Sequence, residues 1–204
     1  MYIPSRFASS PPWPQLLARH AFGLLVTSGG EDFAATHLPY IAATDGSLVT
    51  LHMARANPHW QAIEREPRCR FIVQGSHGYV SPNWYETAAA VPTWNYEAVH
   101  LEGTAELEFD EAELWKIVAA MTARFEDPAA TWSLERLPAE FRVPRLRSIV
   151  GVRIRVERGE AKQKLSQDRS SGERERVIAE LRARGNTDLA QAMEAARPAD
   201  RPER

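Results

Sequence analysis

From residue 149 to 156 the chain alternates without a slip, with Val150, Val152, Ile154 and Val156 on one face and Gly151, Arg153 and Arg155 on the other. A two-residue period is a strand with one dry and one wet face, so the fold must contain a half-buried sheet that this segment closes. Strand patterns at 22–27, 33–40, 47–53 and 70–74 supply neighbours. So does a longer run at 91–109, read as one strand or a bent pair with Gly103 as a bulge. Gly29-Gly30 and Asp45-Gly46 turn the first three strands into a meander. No β-α pattern repeats. The expectation is a β-rich α+β protein: an antiparallel barrel with flanking helices over its openings.

The helical signals are local. Pro14 sits in the first turn of a short helix over 15–21, and Asn57-Pro58 opens another over 59–66, where the amide can cap free backbone N–H groups. Asp110 with Glu113 is a capping-box pattern. It precedes Leu114, Ile117, Val118, Met121 and Phe125 at helical spacing, the longest helix, ending before Pro128. Residues 131–144 read as loop and short helix. From Ser170 the chain is charged: helices over 173–184 and 187–196, broken at Gly185-Asn186, form a C-terminal helical hairpin with a frayed tail. The expected organisation is a domain over 1–169 and an appendage over 170–204.

Hydrophobic residues make up 44% of 204 and charged residues 25%, enough to build one core. A net charge of -2 gives no global attraction to polyanions, so a nucleic acid would need a local patch. The single cysteine, Cys69, excludes an intrachain disulfide, and no run approaches the roughly 18 apolar residues of a membrane span. A cytoplasmic protein without a membrane partner is expected.

Three segments carry candidate chemistry. Residues 79–103 interleave Tyr79, Trp84, Tyr85, Trp94 and Tyr96 with Ser81, Asn83, Thr93 and Asn95. Aromatic faces beside short amides and hydroxyls suit a planar polar ligand, and equally suit a strand whose aromatics are core. The stretch His52-Met53-Ala54-Arg55-Ala56-Asn57-Pro58-His59-Trp60 ends a strand and opens a helix, where free N–H groups and Arg55 can converge on a phosphate or simply cap a surface helix. Lys162, Lys164, Ser166 and Gln167 form either a further ligand edge or a solvated turn.

Other chemistries lack their signatures. The six histidines show no compact metal spacing, and there is no Walker loop, nucleophile elbow or Rossmann fingerprint. The hairpin mimics a helix-turn-helix, but its second helix offers Asp188, Glu194 and one glutamine where a DNA reader needs cations. The better candidate for DNA is the group Arg142, Arg145, Arg147, Arg153 and Arg155, which an exposed strand face also explains.

Taken in order, these motifs resemble the FMN-binding negative transcriptional regulators of the PaiB type, a branch of the FMN-binding split-barrel superfamily that includes pyridoxamine phosphate oxidases. The likeness runs from Met1-Tyr2-Ile3-Pro4 through Thr36-His37-Leu38-Pro39, the segments around Arg55 and Trp84, and Val91-Pro92-Thr93-Trp94-Asn95-Tyr96 to residues 162–169. It implies a six-stranded split barrel that forms a homodimer and holds FMN. His52, Arg55 and Asn57 would meet the phosphate and ribityl end. Ser81, Trp84, Thr93, Trp94 and Asn95 would meet the ring, with Lys164, Ser166 and Gln167 completing the site from the partner. One departure is Asp168, where the family motif has Asn; a carboxylate disfavours a phosphate beside it. The resemblance leaves open transcriptional repression, flavin-dependent oxidoreductase chemistry as in pyridoxamine phosphate oxidases, direct DNA binding, and haem binding through His52 or His100.

Overall fold

The computed structural model describes residues 1–8, 12–29, 32–86, 90–127, 129 and 131–196. Within them lie α1 (Trp13–Ala18), β1 (Phe22–Gly29), β2 (Asp32–Pro39), β3 (Ile41–Ala42), β4 (Leu48–Ala54), α2 (His59–Arg65) and β5 (Arg68–Val80). They are followed by β6 (Thr93–Glu108), α3 (Glu111–Phe125), α4 (Ala139–Arg147), β7 (Ile149–Lys164), α5 (Ser171–Ala183) and α6 (Thr187–Ala195). The strands form one sheet in the order β2-β1-β5-β6-β7-β4-β3. Antiparallel ladders join β1 to β2 and β5, and β4 to β3 and β7.

Seven strands replace the six expected. Ile41 and Ala42 pair with Thr50 and Val49, a ladder too short to show any period in the sequence. β6 is a single strand rather than a bent pair, and β7 runs eight residues past the expected end. The charged run Glu157-Arg158 conceals that continuation: its side chains pair outward with Arg68 and Glu102 while the backbone stays extended. The expected tail over 197–204, Pro128 and Gly30 lie outside the described residues. By contact density the chain forms two compact units, one of Met1–Leu16, Gln74–Val99 and Glu160–Arg204, the other of Leu17–Val73 and His100–Gly159.

In the second unit, Leu25, Leu51, Phe71, Leu101, Val152 and Ile154 are fully buried, and α3 contributes Leu114, Ile117 and Met121 to the core. Asp110 caps α3 by accepting from the N–H groups of Ala112 and Glu113 at 2.9 and 3.1 Å. Gly151 matters here because a Cβ would stand 2.7 Å from Ile117 Cδ1, so α3 can lie close only where the side chain is absent. Behind α1, Tyr40 donates to Leu17 O at 2.7 Å, and its burial holds the phenol's pKa above the ordinary value. Cys69 is buried, and desolvation pushes its thiol up to about 12, which leaves it inert.

In the first unit the C-terminal hairpin is part of the core. Ser170 and Glu173 form a reciprocal capping box that starts α5, and Gly185, at φ 80°, ends it in a conformation that favours glycine. Val177 and Leu181 of α5 and Leu189, Ala190 and Met193 of α6 pack with Val80, Tyr85 and Leu165 in one apolar cluster. The apolar face of the hairpin is therefore spent on packing. Among the described residues no helix is long and apolar enough to cross a membrane.

Candidate functional site

The end of β7 and the turn after it build the best-defined site, within the first unit. Asn95 is fully buried on β6, and its Nδ2 donates to Ser166 Oγ at 2.9 Å. Its Oδ1 is buried without a partner. Such an orphaned acceptor costs on the order of 1–3 kcal/mol unless a donor arrives. Ser166 itself holds φ 59°, a left-handed backbone at a non-glycine residue, the kind of strain that persists where the surroundings enforce it. Gln167 does the enforcing: its Oε1 accepts from Leu165 N and its Nε2 donates to Gln163 O, both at 2.7 Å. Both amide atoms of Gln167 thus shape the turn.

Lys164 Nζ donates to Thr93 Oγ1 and stands 5.9 Å from the Phe7 ring. Lys162 Nζ donates to Tyr2 O at 3.2 Å and faces Tyr96. Arg174, buried beneath the turn, donates to the carbonyls of Leu165, Met193 and Ala196, and burial lowers its pKa. The reading of residues 162–167 as a solvated turn is overturned, because Lys162, Gln163, Ser166 and Gln167 are all buried. Lys164 and Ser166 also reach Thr93 and Asn95 within one chain, so no partner is needed for that juxtaposition.

These groups surround a cavity of about 280 Å³ lined by Arg6, Phe7, Thr93, Asn95, Lys164, Ser166, Asp168 and Arg169, with Tyr85 and Val91 at its walls. Arg6 and Phe7 were missed in the sequence because nothing local signals that an N-terminal segment folds over residues 162–169; the bridge between Ala8 and Lys162 brings it there. Asp168 lies 3.8 Å from Arg6 Nε, which offsets the carboxylate that departs from the family motif.

Ser81 and Trp84 line a different, more open cleft of about 610 Å³ with Tyr79, Glu180, Arg184 and Asn186, where Arg184 lies 5.2 Å from the Trp84 ring. Trp94 projects from the other face of β6 than Thr93 and Asn95, as strand alternation requires. It is half exposed and packs against His77 and Tyr79.

In the second unit, Asn57 is engaged on both amide atoms: Oδ1 accepts from His59 N at 3.0 Å, and Nδ2 donates to Thr36 Oγ1 at 3.1 Å. His59, 3% exposed, bonds Thr27 Oγ1 and Thr36 Oγ1 at 3.0 and 2.7 Å, and burial lowers its pKa. His52 pairs with Gly151 across the ladder and so shares the sheet face that α3 covers; burial lowers its pKa and leaves Nδ1 unpartnered. Arg55 extends over the Phe109 ring at 5.1 Å and meets no carboxylate among the described residues. The arginine patch is largely neutralised: Arg147 pairs with Glu111, Arg153 with Glu108 and Glu113, and Arg155 with Glu106, at 2.6 to 2.9 Å. Arg142 and Arg145 lie over Trp115 and Phe141. No cluster of three or more metal-ligating side chains occurs among the described residues.

The fold has solved relatives. A conserved hypothetical protein from Mycobacterium tuberculosis aligns with a TM-score of 0.59 at 17% identity over 83% of this chain and 94% of its own. A FAD and haem binding protein from Mycobacterium smegmatis aligns at 0.59 and 16% identity over 77% and 72%. At such identities the likeness establishes the fold alone, and the fold is that of the split-barrel proteins. Residues 1–158 match the family described as "Putative FMN-binding domain". The protease synthase and sporulation protein PAI 2 of Bacillus subtilis is 35% identical over 201 residues, 95% of each chain. This chain belongs to that PaiB-type family, and FMN is its cofactor.

Proposed function

We propose that the polar edge of FMN is held against Thr93, Asn95, Lys164 and Ser166, and that any regulatory role runs through the flavin rather than through direct reading of DNA. The observation that carries this is the buried, unpartnered Oδ1 of Asn95, a residue of the cavity wall beside Thr93, Lys164 and Ser166. An acceptor in that state calls for an N–H or O–H donor, which a flavin ring edge or a ribityl hydroxyl carries and a phosphate dianion does not. Bound FMN supplies hydride or electron transfer. The chain's own residues bind and orient it. Neutralisation of Arg147, Arg153 and Arg155 by glutamates argues against that patch as a DNA contact, and the exposed acids Asp188 and Glu194 argue against α6 as a reading helix. These two observations weigh against direct DNA binding.

A visible spectrum of the protein as isolated, followed by FMN titration of any colourless fraction, tests the reading; a protein that never takes up FMN ends it. The assignment of the phosphate to Arg55 is separate and has its own test: Arg55→Ala lowers FMN affinity and leaves riboflavin affinity unchanged.

The homodimer is proposed from an exposed apolar face of the second unit. Phe22, Leu24 and Val26 of β1 stand beside Ala35 and Phe33 of β2 and Ile72 of β5, with Phe33 80% exposed. His37 and Arg70 stand opposite Leu24 and Val26 on this face, so it is an exposed apolar patch with two polar positions, which suits a second copy of the chain. Sedimentation should find a dimer that Phe33→Glu converts to monomer; a monomeric wild type overturns it.

A further inference from the structure

The cavity in the first unit carries more positive charge than its flavin contacts use. Arg6, Lys164 and Arg169 line it with Asp168, and Glu173 stands behind Arg169. Of the lining residues three are cationic and one, Asp168, is a carboxylate, so the cavity carries surplus positive charge. Everywhere else among the described residues, arginine–carboxylate pairs close to 3.3 Å or less. At the cavity they do not: Arg6 Nε stands 3.8 Å from Asp168, and Arg169 Nη1 stands 4.0 Å from Glu173. At those separations the N–H donors of neither guanidinium are committed to a carboxylate.

Both arginines are nevertheless positioned. Arg6 lies 4.8 Å from the Phe7 ring centroid and Arg169 lies 4.4 Å from that of Tyr85. Contact with a ring face orients a guanidinium without neutralising it, which lowers the entropic cost of presenting its fork to an anion. The Arg169 side chain is only 29% exposed, so an anion reaching it leaves much of bulk water behind.

We propose that Arg6 and Arg169 form an anion subsite for the carboxylate of a small organic acid, a substrate or effector seated beside the flavin. The inference rests on the FMN reading above in one respect: Thr93 and Lys164, taken there as flavin contacts, line the same cavity. A planar guanidinium fork matches the two oxygens of a carboxylate. A volume of about 280 Å³ is small for a ligand site, so a second ligand beside a flavin edge is limited to the size of acetate.

Calorimetric titration of the FMN-loaded protein with acetate, and separately with inorganic phosphate at constant ionic strength, tests it. Acetate should saturate at one per chain, and Arg169→Gln and Arg6→Gln should each weaken it by about tenfold, as loss of one charge-assisted contact does. Flavin absorbance and the circular dichroism spectrum of both variants should match wild type. Absence of saturation, or variants that bind acetate as wild type does, overturns the subsite. Stronger binding of phosphate than of acetate overturns the carboxylate assignment. Acetate binding by FMN-free protein alone overturns the second-ligand proposal while leaving the flavin reading intact. Binding through Arg169 in a protein that never takes up FMN supports the subsite and removes the flavin reading.

Discussion

Arginine is used in opposite ways at the cavity of the first unit and at the contact of β7 with α3 in the second. In the second, Arg153 bridges Glu108 and Glu113 at 2.6 and 2.9 Å and ties β7 to α3, while Arg155 and Arg147 are each closed by one glutamate. In the first, Arg6 and Arg169 lie over aromatic rings with carboxylates held just beyond hydrogen-bonding distance. Two buried polar side chains differ in the same way, although His52 Nδ1 in the second unit is also unpartnered. His59 has a hydroxyl on each ring nitrogen, whereas Asn95 keeps one arm empty. Saturated polar groups hold a scaffold together; those left open at a cavity mark where something else completes the set.

The largest effect should come from Arg174, the buried arginine beneath the turn, whose guanidinium is engaged by three carbonyls. Arg174→Ala leaves three buried carbonyls without a donor and should lower stability by about 3 kcal/mol in urea unfolding, with loss of the turn at Ser166. If the loss is under about 1 kcal/mol, the first unit does not rest on that guanidinium. Next, Asn95→Ala should weaken FMN by about 1–2 kcal/mol in fluorescence titration. Unchanged affinity would mean the empty acceptor is not where FMN docks. In the second unit, Arg153→Gln should cost about 1 kcal/mol or less, because the bridge is partly exposed.

The pH dependence sharpens the same comparison. Burial holds the pKa of His59 below 6.5, so as pH falls the unfolded chain takes up a proton before the folded one does. Stability from this residue is complete above about 6.5 and declines as pH drops through the folded pKa. The urea midpoint should therefore fall on acidification, and His59→Gln should flatten that slope, with buried His52 contributing a residual slope of the same sign. The smallest effect is Arg155→Gln, within about 0.5 kcal/mol, because its ion pair is mostly exposed.

Much of the fold was legible because its signals are local. The caps at Asp110 and Ser170, the break at Gly185-Asn186 and the alternation through Ile154 each arise from neighbours in sequence, and each of these elements starts within a few residues of where its pattern puts it. What failed to announce itself was short or charged. β3 has two residues and no period, and the continuation of β7 through Glu157 and Arg158 looks like a loop until its outward pairing is seen. Strand parity also divides what the sequence lists together: Thr93 and Asn95 face one way, Trp94 the other.

The sequence by itself determined the family, the cofactor and most of the elements, because ordered motifs and backbone propensities are written along the chain. Only the tertiary structure decided that residues 1–8 reach the turn at Ser166, that Asn95 is left with an open acceptor, and that the arginines of β7 are already answered by glutamates. Those facts depend on distances between residues dozens to more than a hundred positions apart. Whether a charge is neutralised or left available is set by such distances and by burial, neither of which a one-dimensional pattern contains.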